Sequence, residues 1–205
     1  MEDVPVYSYE DLREKADEFL RDHHPSGNIP IPIEDIVEFD LGINIVPVLG
    51  LQREFEVDGF TSGDLKNIFV DEYVFTDRIT RYRFTLAHEV GHIVLHRHLY
   101  DSHKFKSVHG WKDFINSMSE EDHSWLEYQG YAFAGLVLIP KEKLAIVTRE
   151  WIKKIKNKGI SIEKNWDFAW ELITDHVAKA FLVSPDVIEK RMEKDEVKKT
   201  YMKCE

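Results

Sequence analysis

The stretch RFTLAHEVGHIVLHRH, residues 83–98, constrains this chain more than any other part of it. Phe84, Leu86, Ala87, Val90, Ile93, Val94 and Leu95 suit a buried helix, yet His88, Glu89, His92, His96 and His98 ride on the same segment. Buried imidazoles and carboxylates are costly unless they find partners. His88 and His92 stand four residues apart, so on a helix their rings leave one face about 6 Å apart along the axis. Both can reach one zinc ion through bonds of about 2 Å. Glu89 is turned about 100° from His88, which sets its carboxylate beside such an ion, where it can take a proton from bound water. The competing reading is two satisfied core histidines with a surface glutamate. The apolar helix around the H-E-x-x-H pattern favours the metal.

A catalytic zinc usually takes three protein ligands and keeps one position for water. His96 extends the histidine row but lies about 12 Å along the axis from His88, too far to share one ion; it reads as a packing residue or a support behind the ligands. His98 points elsewhere, towards solvent. His103, His109 and His123 fall in the polar segment 101–124, which reads as irregular; each can approach the metal or sit as an exposed loop histidine. Glu127 is the better third ligand. It begins an apolar helix, EYQGYAFAGLVLIP, whose small residues Gly130 and Ala134 would let it lie close to the histidine helix. A helix-start carboxylate favoured by the dipole explains Glu127 equally well on its own. Glu120, Glu121 and Asp122 read as a solvated loop cluster.

Around this segment the chain looks globular. Of 205 residues, 43% are hydrophobic, enough for one sizeable core. The net charge of −11 argues against nucleic-acid binding, which needs a basic surface. REWIKKIKNK, 149–158, is a basic exception that reads as a solvated helix face or as a docking surface for an acidic partner or operator DNA. Cys204 is the single cysteine, so no internal disulfide forms, as suits a reducing compartment. The acidic N-terminus does not read as a signal peptide, and the apolar run AFAGLVLI is far too short to span a bilayer. The expectation is a soluble cytoplasmic protein.

The remaining pattern predicts a first helix over SYEDLREKADEFLRDHH with Ser8 as cap, and a short second one over IEDIVEFDLG. INIVPV reads as a strand, at an edge because of Pro47. EVDGFTSGDLKNIFVDE reads as a hairpin, so a small antiparallel sheet is expected in the first half. The metal helix should be capped by Thr76 or Asp77. Further helices are expected near 141–157 and 166–182, with a last one capped by Ser184. A single domain, 1–205, is the simplest organisation: N-terminal helices and sheet over 1–75, metal-binding helices over 76–140, and a helical part over 141–205.

Three segments in order resemble the ImmA/IrrE family of zinc metallo-endopeptidases: RYRFTLAHEVGHIVLH, EYQGYAFAGLVLIP and FLVSPDVIEKRM. The resemblance spans roughly residues 30–192. It implies an α+β, zincin-like, gluzincin-type fold, with a small twisted sheet packed on the H-E-x-x-H helix and a mainly helical C-terminal part. It implies Zn2+ held by His88, His92 and Glu127, with Glu89 as general base. In the second segment Gln129, Gly130 and Tyr131 depart from the family's Glu-Ala-Asn/Asp. The implied activity is cleavage of a helix-turn-helix (Xre-type) repressor at one site, relieving repression in a mobile element or stress response. Tyr128, Tyr131 and His123 are candidate oxyanion donors, and NIFVDE, 67–72, is a candidate edge strand for substrate. The alternative is a non-catalytic regulatory module with a zincin fold and a structural metal site.

Overall fold

The structure is a computed structural model that describes residues 4–101, 105–159, 162 and 165–202. His103 and Cys204 lie outside them. Helix α1 (Tyr9–His23) starts where expected: Ser8 and Asp11 cap one another's backbone, and Leu12, Ala16 and Phe19 form its buried face. A single turn, α2 (Ile33–Asp35), continues as a π-helical turn over Ile36–Asp40.

Strands β1 (Asn44–Val48), β2 (Gly59–Thr61) and β3 (Asn67–Asp71) form one sheet in the order β1-β3-β2, with the short helix α3 (Leu51–Phe55) between β1 and β2. The hairpin is present, because β2 runs antiparallel to β3 with Gly59 opposite Val70 and Thr61 opposite Ile68. β1, however, pairs parallel to β3, so the sheet is mixed rather than purely antiparallel. Pro47 does lie on an edge strand. The expectation that 67–72 is a free edge is wrong: β3 is the central strand, bonded on both sides. Its composition explains why. Ile68 and Val70 are fully buried in the main core, while Phe69 turns to the opposite face and stacks on Phe60. A strand apolar on both faces belongs in the middle of a sheet.

The helix after β3 is divided. Asp71 accepts hydrogen bonds from the backbone N–H groups of Tyr73 and Val74, which starts α4 (Glu72–Asp77). The chain leaves helical geometry at Arg78, and α5 (Ile79–Leu95) begins with no side-chain cap. Thr76 and Asp77 therefore end one helix instead of capping the next. After α5 the segment expected to be irregular is largely helical: α6 (Arg97–Asp101) and then α7 (Val108–Asn116), the latter capped by Ser107. Phe114 buries itself against Tyr100 and Phe105 in a second apolar cluster, which also takes in Phe60 and Leu126.

Helix α8 (Glu120–Leu138) begins seven residues before Glu127 and is capped by Ser119. Glu120, Glu121 and Asp122 make up its acidic first turn, not a loop. Glu127 is thus mid-helix, and its position is not explained by the helix dipole. α9 (Lys141–Asn157), α10 (Trp166–Phe181), α11 (Pro185–Lys194) and α12 (Val197–Met202) complete the order. Pro185 takes the first position of α11, though Ser184 makes no side-chain cap bond. On α9, Leu144, Thr148 and Ile155 face inward, and the cations of 149–158 lie on an exposed face.

Two contacts hold the histidine helix in place. α5 lies against α8 at two glycines. A methyl group on Gly91 would sit 3.2 Å from the Phe133 ring, and one on Gly130 would sit 2.8 Å from His88 Cε1 and 2.9 Å from His92 Cε1. Arg83, buried on the other side of α5, donates to the carbonyls of Ile31 (2.7 Å) and Leu182 (3.2 Å), tying the helix to both halves of the chain.

Candidate metal centre

His88 and His92 leave α5 on the side that meets α8, and Glu127 leaves α8 opposite them. One ligand atom from each lies within 4.8 Å of the other two, a set that can hold a metal ion. The two Nε2 atoms are 2.9 Å apart. The Glu127 carboxylate is 3.5 Å from His88 Nε2 and 3.7 Å from His92 Nε2. Tetrahedral zinc with bonds near 2 Å places neighbouring donors about 3.3 Å apart, so the three groups present fit such an ion. Gly130 makes this possible, since any side chain there would occupy the space of the imidazoles.

Charge and burial are coupled at this centre. Burial opposes the charged form of His88, but the hydrogen bond and charge of Glu127, with help from Glu89, raise its pKa overall. Burial also works against an ionised Glu127, yet His88 holds its pKa below the ordinary value. His92 is pushed well down by burial and by the neighbouring His88 and His96. An imidazole kept neutral is the form that binds a metal.

Glu89 is 4% exposed and lies beside the trio. Burial raises its proton affinity, moderated by the charge of His88 and by a hydrogen bond from the Thr61 hydroxyl, which donates to Oε2 at 2.8 Å. Thr61 sits on β2, so the sheet's outer strand fixes the carboxylate's orientation. The sequence reading missed Thr61. The signal available was its place in a β-prone run within the hairpin, but only the fold shows that β2 faces α5.

His88, Glu89, His92 and Glu127 open into one cavity of about 320 Å³. Tyr100, Trp111, Ile115 and Leu126, all of the second apolar cluster, give it an apolar and aromatic wall; Asp58, Arg81, Phe84 and Tyr131 also line it. Trp111 comes from the segment 101–124 read as irregular, Tyr100 from just before it, and neither was anticipated. Among the candidate oxyanion donors, Tyr131 and His123 line the cavity. Tyr128 does not; it packs on Trp125 beside Tyr7 and Tyr9 on a neighbouring face. Tyr131 is 56% exposed and lays its ring 4.5 Å from that of His88. His109 pairs with Phe55 outside the trio. His96 is fully buried behind His92, with its Nδ1 3.1 Å from His92 Nδ1, in keeping with a supporting role. His98 is partly buried.

Residues 56–193 match the family model of the IrrE N-terminal-like domain, Peptidase M78. The match runs from just before β2 into α11 and contains every residue of the centre. No curated protein matches the chain in sequence. Among solved structures, a Mycobacterium tuberculosis transcriptional regulator is similar with a TM-score of 0.56 and 13% identity, over 89% of this chain and 46% of that one. At that identity the likeness is one of fold, and the chain spans less than half the regulator's length. Among the described residues, no helix is long and apolar enough to cross a membrane.

Proposed function

Because this chain belongs to the IrrE N-terminal-like peptidase family, we propose that it is a zinc-dependent endopeptidase that cuts a helix-turn-helix repressor at a defined site. The observation that carries the peptidase reading is the buried Glu89, oriented by Thr61 and set beside His88, His92 and Glu127. Two histidines and a carboxylate are a donor set that suits zinc. Zinc bound there supplies a Lewis acid for the scissile carbonyl and a more acidic water.

The chain's own residues carry the proton. Glu89, with its proton affinity raised by burial, takes the proton of the attacking water and later returns it to the leaving amine. The Thr61 hydroxyl, bonded to Oε2, holds the carboxylate in place for this exchange. The outer edge of β2 makes no ladder among the described residues, and it lies beside Glu89. An extended substrate segment can add to it as a further strand, a role that β3 cannot fill. The wall of Tyr100, Trp111, Ile115 and Leu126 suits a large apolar side chain next to the scissile bond. A metal site with a purely structural role gains nothing from a buried carboxylate beside its open side, which favours catalysis over a non-catalytic binding module.

The repressor as substrate rests on the family resemblance; the name of the similar regulator is compatible with a setting in transcriptional control. The test is incubation of the zinc-loaded protein with an Xre-type repressor encoded beside it and, separately, with unfolded casein. A single cut in the repressor with casein left intact is expected. Rapid casein digestion with an intact repressor contradicts the substrate assignment.

A further inference from the structure

We propose that His96 and Gln129 form a positioning chain, anchored on the Pro5 carbonyl, that fixes the His92 ring for the metal. The inference rests on the metal-site reading above and concerns residues to which that reading gives no role.

Nε2 of His92 faces Nε2 of His88 and the Glu127 carboxylate, so it is the metal-facing nitrogen. A neutral imidazole that ligates through Nε2 carries its proton on Nδ1. That Nδ1–H lies 3.1 Å from Nδ1 of His96, which must then accept. His96 consequently holds its own proton on Nε2. Gln129 is fully buried on α8, next to Gly130, which abuts the His92 ring. Nε2 of His96 and Oε1 of Gln129 are both buried without a close partner, and they are a donor and an acceptor that need one another. Gln129 turns its amide nitrogen the other way and donates to the Pro5 carbonyl at 2.7 Å. With a hydrogen bond between those two atoms, donors and acceptors would alternate from His92 to Pro5, where the adjoining Val4 is buried in the second apolar cluster. His88 has no equivalent: its Nδ1 is buried without a partner, and the Tyr131 ring packs on it instead. Hydrogen-bonded control of the ligand histidines therefore passes through His92 alone among the described contacts.

Partners behind a metal ligand typically account for about 10- to 100-fold in metal affinity. The experiment measures zinc affinity by competition with a chromophoric chelator for wild type, His96→Phe and Gln129→Leu, with circular dichroism of each apo form as the folding check. Both variants are expected to bind zinc at least about tenfold more weakly while remaining folded. A variant that fails to fold is replaced by a measurement on the wild type: 15N NMR of the zinc-loaded protein should show His96 as the neutral Nε2–H tautomer. Folded variants that bind zinc within twofold of wild type, or His96 found as the Nδ1–H tautomer, overturn the chain while leaving the metal site standing. Absence of zinc binding by the wild type overturns the site itself, and the chain with it.

Discussion

Thr61 and Glu89, both buried, meet at 2.8 Å although 28 positions apart in the chain. Replacing Thr61 with Val keeps the shape and removes the donor. The expected result is a cleavage rate lowered by about tenfold, with unchanged zinc stoichiometry, since a hydrogen bond to a charged group is worth roughly 1.5–3 kcal/mol. Steady-state kinetics with metal analysis checks this. Gly130 is the opposite case, a residue whose lack of a side chain is its contribution. Gly130→Ala places a methyl 2.8 Å from His88 Cε1. It should cost about 1–3 kcal/mol of stability from overpacking and abolish tight zinc binding, both readable from denaturant titration of the apo and zinc-loaded protein. His88, Glu89 and His92 were legible because a helix turns their spacing into geometry. Glu127 was legible as the better third ligand, because a carboxylate on an apolar helix that follows an H-E-x-x-H pattern needs a reason. Thr61, Tyr100 and the His92–His96 contact depend on which element packs where, and local pattern does not contain that.

The elements were read well where one local signal dominated and poorly where two competed. Ser8 and Asp11 made the start of α1 unambiguous. Between β3 and α5, Asp71, Thr76 and Asp77 are all good caps. Asp71 wins because its other carboxylate oxygen also accepts from the Gln52 backbone, so the tertiary fold already holds it. α7 was overlooked because it is short and flanked by polar residues. Yet Ser107 with Trp111, Phe114 and Ile115 gives a cap followed by helical spacing, and that was there to be read. The element also forms a wall of the cavity. Phe114→Ala should destabilise the protein by about 3–5 kcal/mol, the usual cost of truncating a buried phenylalanine. The loss should appear in hydrogen exchange across α6 and α7 before it appears in α5. Zinc affinity should persist while cleavage falls, since the wall and not the ligand set is loosened.

Across the whole molecule, long-range polar ties hold the end of α8 to α1 and α11. Arg191, 4% exposed, reaches the Ile139 carbonyl at the end of α8, the Tyr9 hydroxyl before the first turn of α1 closes, and Asp195, which also takes Arg13 at 2.6 Å. Removing one partner of a buried pair strands the other, so Arg191→Ala should lower stability by about 3–5 kcal/mol, measured by urea unfolding. Zinc affinity in the folded variant should stay near wild type, because this lock sits at the far end of α8 from Glu127. The mixed α+β architecture was legible from alternating and helical periodicities. The parallel pairing of β1 was not, because strand direction depends on how the intervening chain crosses over. The central claim is that this architecture exists to hold a catalytic carboxylate beside a metal. The most direct test compares the zinc-loaded wild type with zinc-loaded Glu89→Gln, each at one ion per chain, for cleavage of the same repressor. The account predicts equal metal content and a rate lower by on the order of 10² to 10⁴ in the variant. Equal rates at equal metal content would contradict it.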